Sequence, residues 1–473
     1  MSVALLAAGC AAVPNLGPAP MPLAADRIAA SGSLPAQGAA WPDDQWWRAF
    51  DDPQLTALIE EGLRNSPDVA AAVGRFRRAA GLAQEAGGAT LPSVNAQGSV
   101  TLNKQSYNYG FPQEFLPQGW QDYAGIAAVI GFDLDIWGRN RAALAAATSE
   151  RQAAAVDVRQ ARIMLAAGIA SAYADFQRLN EELELRRAAL GLREKSRRLV
   201  GERTANGLDT AGSQSLSEAQ AATARAQLSA TEQDLKLRRN QIAALVGAGP
   251  DRGLALTAPT LAAPAGLGLP DDVTTDLVAR RPDVSAALAR VTAAAGRIKV
   301  ARADFFPALR LDALIGAQSL GVENLFKSGS DYGNAGPAIN LPLFRGGALQ
   351  GRYRQARGGY EEAVAFYDRT VLDAYRDVAD AVAMRDAIAR RLRDARAALA
   401  ASEKANDVAQ LRYNGGLSSY LDAVIVEDRL LEAREAVTAL EAAARAADIS
   451  LIRALGGGFA PAGRPNAKDY PDE

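Results

Sequence analysis

Few residues in this chain are equipped for chemistry. Asp133 and Asp135 stand two apart, Asp422 opens a helical stretch just after Ser419, and Cys10 is the one cysteine among 473 residues. There is no histidine, which removes the commonest general base and the commonest metal ligand together. Two carboxylates at i and i+2 of a strand share a face and could hold a cation. No further ligand lies near them in the sequence, so they read instead as acids on a wetted, pore-lining strand face. Arg345-Gly346-Gly347 and Gly456-Gly457-Gly458 lack the lysine and following Ser or Thr of a phosphate loop, which disfavours nucleotide binding. No nucleophile elbow or metal-ligand spacing is present. The expectation is a protein with no catalytic residue, no metal and no cofactor, hence not an enzyme.

Composition narrows the class. Hydrophobic residues make up 49% of the chain but aromatics only 6%, which suits thin helices packed on small side chains rather than a thick core. A formal net charge of −2 gives no long-range attraction to nucleic acid or to an anionic membrane. With a single cysteine no internal disulfide can form, so the position of Cys10 matters more than its redox state. It follows Leu5-Leu6-Ala7-Ala8-Gly9, an apolar run ending in small residues that resembles a bacterial lipobox with Cys10 as the lipidated residue. Ala7 stands where leucine is usual and no basic residue precedes the run, so either this is a shortened signal or the start lies upstream. No later stretch reaches about 18 uninterrupted apolar residues, so a membrane-embedded portion has to be built from strands.

The elements that must position these residues follow in order. Residues 1–10 form the signal remnant with its lipobox, and the Pro, Ala and Gly-rich residues 11–40 an extended tether. Residues 41–92 hold two short helices, about Pro53 to Arg64 and Pro67 to Gly87, after a start of packed structure marked by Trp41, Trp46 and Trp47. The period then changes to two. Across 93–137, Val94, Ala96, Gly98, Val100 and Leu102 alternate with Ser93, Asn95, Gln97, Ser99, Thr101 and Asn103, and Ile126 to Ile136 alternate likewise up to Trp137, predicting a hairpin with one apolar and one wet face. Its loop carries Tyr107, Tyr109, Phe111, Phe115, Trp120 and Tyr123.

Residues 138–247 read as a long helical pair turning at Asn206-Gly207, with Leu165, Ile169, Ala172, Phe176, Leu179 and Leu183 spaced as a heptad seam. After a connector at 248–270 the order recurs: helices in 271–306, a hairpin in 307–345 with strands at about Pro307 to Ser319 and Tyr332 to Phe344, and a second long pair in 346–456. Residues 457–473 are a polar, flexible tail. Placing Arg412 on Arg203 gives an offset of 412 − 203 = 209, which also superposes Gly416 on Gly207, Leu417 on Leu208, Glu427 on Glu218 and Arg434 on Arg225. Pro282-Asp283-Val284 repeats Pro67-Asp68-Val69, and Pro307 repeats Pro92, at the constant offset 307 − 92 = 215. The layout is an internal tandem repeat of helices, hairpin and long helical pair.

Four amphipathic strands are long enough to cross an outer membrane at a tilt but too few to close, since the smallest usual barrel has about eight. An open edge in lipid leaves peptide groups unpaired at several kcal/mol each, so several chains must share one barrel, and three chains with twelve strands are the simplest answer. The helices fed by such a ring must themselves form a hollow cylinder, with the turns at Gly207 and Gly416 at its far end.

In these residues the chain resembles the outer-membrane factors of efflux and secretion systems, TolC-like, in the lipoprotein branch typified by NodT and OprM. The resemblance rests on Phe132-Asp133-Leu134-Asp135-Ile136-Trp137-Gly138-Arg139, on Arg412-Tyr413 followed by Gly416, on Tyr420-Leu421-Asp422, and on Cys10, and it covers Trp41 to Gly456. It implies a homotrimer with a twelve-stranded β-barrel continued by an α-helical coiled-coil periplasmic barrel, lipid-anchored in the Gram-negative outer membrane. A periplasmic adaptor (membrane fusion protein) and an inner-membrane pump are the implied partners, with no nucleic acid and no cofactor beyond the covalent lipid on Cys10. The function it implies is the exit duct of a tripartite efflux system. Type I protein secretion, a free-standing diffusive porin and a structural coiled-coil envelope protein are the alternatives, though an adaptor-like scaffold should carry a lipoyl-type β segment that this sequence lacks. The resemblance also assigns a periplasmic gate to the two turns. Tyr413 matches a tyrosine that bonds across to the neighbouring turn and Leu421 an apolar constriction. Ile425 stands where the family often has a ring of aspartates, and Ser213 where an acid is expected. Asp422 is left as the candidate for an acidic ring, or as a helix N-terminal acid offsetting the macrodipole.

Overall fold

The computed structural model describes residues 12–460 apart from Tyr109 and Phe111. Cys10, its signal-like run and the tail from 461 onward lie outside the described residues. Caps explain where the first helices begin. Asp52 accepts from the N–H groups of Gln54 and Leu55, and Pro53 presets the first helical φ, so α1 spans Pro53–Asn65. Ser66 caps α2, Pro67–Gly88, through the N–H of Asp68. Then come β1 (Ser93–Asn103), β2 (Gln121–Asp133), α3 (Arg139–Ala205) and α4 (Ala211–Leu245). The short α5 (Asp251–Leu254) and α6 (Val273–Arg280) lead into α7 (Pro282–Ala303), β3 (Ala308–Leu320), β4 (Asp331–Asn340), α8 (Ala348–Asn414) and α9 (Tyr420–Ala454).

The halves correspond in length, with 22 residues in α2 and α7, 67 in α3 and α8, and 35 in α4 and α9. At 1.5 Å per residue the two longest helices reach about 100 Å. Corresponding ion pairs brace both hairpins: Arg225 meets Glu194 at 3.3 Å and Arg434 meets Glu403 at 3.4 Å.

The four strands among the described residues form one antiparallel sheet in the order β1-β2-β3-β4, which leaves β1 and β4 as its edges. Ile130 lies opposite Val94 and Ala313, Ala128 opposite Ala96 and Ile315, and Leu309 opposite Ile339. Opposed residues share a face, so this register gathers the apolar sets of all four strands on one side. Asn95, Gln97 and Thr101 stand on the other.

Two strands end earlier than the alternation predicts. β2 stops at Asp133, where the chain turns and Asp135 takes a φ of 44°, so Asp133 and Asp135 do not share a strand face. β4 stops at Asn340, leaving Leu341 and Leu343 outside it. Pro342 has no N–H for the ladder, which is the physical reason.

The expected heptad seam is also something else. Leu165, Ile169, Ala172, Phe176, Leu179 and Leu183 are all buried, but in a broad core with Trp46, Trp47, Phe50, Leu55, Leu58 and Ile59 from the N-terminal segment and with Leu235, Ile242, Ile449 and Ile452. Period alone did not reveal that short helices cover this stretch. A second core gathers α6, α7 and α8 around Leu277, Val291, Tyr367, Val371 and Val378. Residues 12–40 carry a short 3-10 helix at Ala25–Arg27 and are strapped down. Leu23 N–H donates to Asp368 at 2.7 Å, the Tyr360 hydroxyl to the Pro20 carbonyl at 3.1 Å, and Leu34 is buried. Packing thus starts well before Trp41. The far end is held too: a Cβ on Gly457 would come within 2.6 Å of Ile163, so the first residues of the expected tail belong to the body.

Candidate functional site

The sheet carries an uncovered apolar face. Val94, Val100, Leu102, Ile315 and Ile339 are each 65–73% exposed, and all lie on the side gathered by the register. Exposed aromatics stand at both ends: Phe115, Trp120 and Phe326 in the loops, Trp137 and Phe344 where the sheet passes into α3 and α8. An apolar band with an aromatic girdle at each rim is the pattern of a strand wall in lipid. The opposite face is rich in amides and hydroxyls, with Tyr123 donating to Gln318 at 3.2 Å. No helix among the described residues is long and apolar enough to cross a membrane.

Asp135 has a different task from the expected one. Its carboxylate accepts from the N–H groups of Asn140 and Arg141 at 2.8 and 2.9 Å, which starts α3, and it pairs with the Arg141 guanidinium at 3.2 Å. Its partial burial would raise the carboxyl pKa, but these bonds outweigh that and hold it below the usual range. Asp133 accepts from the Asp135 N–H at 2.9 Å. The pair therefore builds the joint between sheet and helix, and no group of metal-ligating side chains occurs among the described residues.

At the far ends of the long helices the two turns have the same backbone. Gly207 and Gly416 adopt φ of 70° and 68°. Leu208 N–H bonds to the Arg203 carbonyl and Leu417 N–H to the Arg412 carbonyl, both at 2.8 Å, while each glycine N–H reaches three residues back at 3.0 Å. This is the Schellman pairing, for which a left-handed residue is required. The return helices are capped at equivalent positions. Thr210 accepts from Ser213 N–H at 3.1 Å, and Ser419 and Asp422 form a reciprocal capping box. Ser419 donates both N–H and hydroxyl to Asp422, at 3.0 and 2.7 Å, and these bonds lower the Asp422 pKa. Asp422 is thus a helix-start acid in the protomer, and Ser213 fills the same position without charge.

Within the protomer Tyr413 packs rather than bonds. Its hydroxyl is buried without a hydrogen-bond partner, its ring lies 5.7 Å from that of Tyr420, and the Arg203 guanidinium sits 5.1 Å over its face. Burial raises its pKa, against the pull of Arg203. With Val200, Tyr420, Ala423 and Val424 it makes a small separate core. Tyr420 ties that core to α4, donating to Gln220 at 3.2 Å. Arg412, Leu421 and Ile425 remain exposed, the last two 52% each, and so do Leu208 and Leu417.

The sequence model of the outer membrane efflux protein family matches residues 58–248 and 273–457, most of the chain. The chain belongs to that family. This efflux protein is 31% identical over 367 residues to the fusaric acid resistance protein FusA of Burkholderia cepacia, covering 76% of the chain and 68% of FusA. It is 30% identical to the pyoverdine export outer membrane protein OpmQ of Pseudomonas aeruginosa, over 88% of the chain and 87% of that relative. Among solved structures, the outer membrane protein VceC of Vibrio cholerae superposes with a TM-score of 0.84 at 40% identity, spanning 89% of the chain and all of VceC (100%). The outer-membrane channel OprN matches at 25% identity with a TM-score of 0.84, over 95% of the chain and 100% of OprN. The chain is accordingly an efflux protein of the outer membrane, built of long helices and a strand sheet, and its relatives are transport proteins.

Some contacts of this efflux protein went unread in the sequence, where Arg203 and Glu427 stood only as repeat positions. Arg193 on α3 and Glu427 on α9 are buried and meet at 3.1 Å, and Arg203 covers Tyr413. One signal was available: Arg186, Arg193 and Val200 are spaced seven apart, a single helix face turned repeatedly toward the same neighbour.

Proposed function

We propose that three copies close this sheet into one barrel, β4 of each chain pairing with β1 of the next, to give twelve strands. The carrying observation is the sheet itself, whose apolar face is exposed while both of its edges are unpaired among the described residues. Neither edge can stand alone in lipid, and a ring of three sheets turns the wet faces inward around a pore. The chain is then a tandem repeat whose paired long helices prolong the pore into the periplasm and end at the Gly207 and Gly416 turns, where the duct shuts. Arg412, Leu421, Asp422 and Ile425 lie at that end, and apolar Ile425 makes the closure chiefly steric and apolar.

In this reading the protein is not an enzyme and uses no cofactor. It is the exit duct of a tripartite efflux system, receiving drugs or other small molecules from an inner-membrane pump through a periplasmic adaptor. The names of its relatives, resistance to fusaric acid and export of pyoverdine, support a small-molecule cargo. Lipid on Cys10 anchors the chain. The strapped tether supports this: it runs back along α8 toward the sheet, with Leu23 near Asp368 and Pro18 near Arg357. Purified protein in planar bilayers tests the reading. A trimer with discrete conductance steps is expected, whereas a monomer, or a trimer that never conducts, refutes it.

A further inference from the structure

Within one protomer the seam of α3 against α9 joins the first helical hairpin to the second, and its chemistry changes along its length. Near the equator Leu179 and Leu183 share a core with Ile449 and Ile452. Farther out the contacts are ionic: Glu181 with Arg445 at 3.1 Å, Arg186 with Glu435 at 2.6 Å, then Arg193 with Glu427 at 3.1 Å and with Asp428. The small core of Val200, Tyr413 and Tyr420 closes the end.

The last pair of this ladder, nearest the turns, differs from the others by being dry. The Arg193 and Glu427 side chains are 5% and 3% exposed, against 18% and 37% for Arg186 and Glu435. Arg193 Nη1 and Glu427 Oε1 are both buried without a well-directed hydrogen bond. Burial pushes the Glu427 carboxyl above its usual range, Arg193 pulls it down and Asp428 pushes it up again, with a net rise. Water would solvate this carboxylate better than the closed seam does. Such a pair is poor glue, yet removing one partner is far worse than having neither, because it strands the other charge. Arg193 is the cation that makes two carboxylates tolerable there. Parting the seam at this point rehydrates Arg193 and Glu427, whereas parting it at Ile449 and Ile452 exposes apolar surface with no compensation.

We infer that Arg193 is the positioning residue that lets the α3–α9 seam of each protomer stay closed near the tip by neutralising buried Glu427, and that the tip opens by parting of this seam from the pair outward. The inference rests on the duct reading above, and its test separates the two. Full-length wild type, Arg193→Met, and Arg193→Met combined with Glu427→Leu are purified, checked for trimer by size, and compared by conductance in planar bilayers. Arg193→Met should raise the open fraction about tenfold or more, since it leaves Glu427 charged and buried. The double variant should return to within about twofold of wild type or below it, because an apolar pair fills the seam without charge. A change that merely damaged the helix would not be rescued by a second one. Arg193→Met that conducts like wild type, or a double variant as open as the single, overturns the latch while leaving a conducting duct in place. Absence of conductance from all three trimers overturns the duct reading and the latch together.

Discussion

The same helix lives in two different environments along its length. Around Ile169, Tyr173 and Phe176, all 0% exposed, α3 is packed by a broad apolar core drawn from the N-terminal segment, α1, α4, the connector and α9. About 35 Å farther along, by the helical rise, around Arg193 and Val200, it meets α4, α9, a thin tyrosine cluster and a few charges, with no broad core around it. The equator has no soft direction, because any displacement there opens cavities. The tip region can part at little cost, because its charges are content in water. Packing is thick where the helices meet the N-terminal segment and thin where they turn.

Substitutions can sharpen or break that contrast. The largest effect is expected from Phe176→Ala, about 3–5 kcal/mol of lost stability, spread over the equatorial amides of α3 and α9 in hydrogen exchange. Val200→Ala at the tip should cost about 1–2 kcal/mol and speed exchange only near the turns. Equal, global losses from both would erase the difference between the regions. Next come Gly207→Ala and Gly416→Ala, each costing about 1–2 kcal/mol because both glycines are left-handed. Melting of the two variants should shift by matching amounts, and an effect at one turn alone would show that the turns are not equivalent. Smaller still is Tyr413→Phe, which removes a hydroxyl that bonds to nothing in the protomer. The closed tip should be unchanged or gain up to about 1 kcal/mol, and a clear loss would place a bonding partner on a neighbouring subunit.

Acid should act on the two tip carboxylates in opposite senses. Glu427 is raised by burial, so its contribution grows as pH falls through its folded value and is complete below the unfolded one. Asp422 is lowered by its bonds to Ser419, so its contribution is present above the ordinary aspartate range and is lost as pH falls through the folded value. Carbon chemical shifts of the two carboxyls across a titration check this directly, and reversed order would remove the buried-charge account of the seam.

Much of the architecture was written in local pattern. Alternation in Ser93 to Asn103 located a strand, Gly207 and Gly416 located both turns, and Asn206-Gly207 placed a helix end to within a residue. The site was less legible, because its chemistry depends on partners far away in sequence. Arg193 and Glu427 are separated by more than two hundred residues, and the seven-residue spacing of Arg186, Arg193 and Val200 marks a shared face but not its partner. Asp133 and Asp135 misled for a related reason: alternation persists through Leu134 and Ile136, but the chain has already turned at Asp135. The run from Leu165 to Leu183 has a heptad rhythm, yet what it packs on is set by Trp46, Trp47 and α1.

The central claim is that one face of the sheet meets lipid and the other lines a pore shared between copies. It is tested most directly by placing single cysteines at Asn95 and at Val94, in a chain whose Cys10 is serine, and adding a charged thiol reagent during conductance recording. Reagent at Asn95→Cys should reduce the current, while Val94→Cys, shielded by lipid, should leave it unaltered. Equal block at both positions, or block at Val94→Cys alone, would contradict the account.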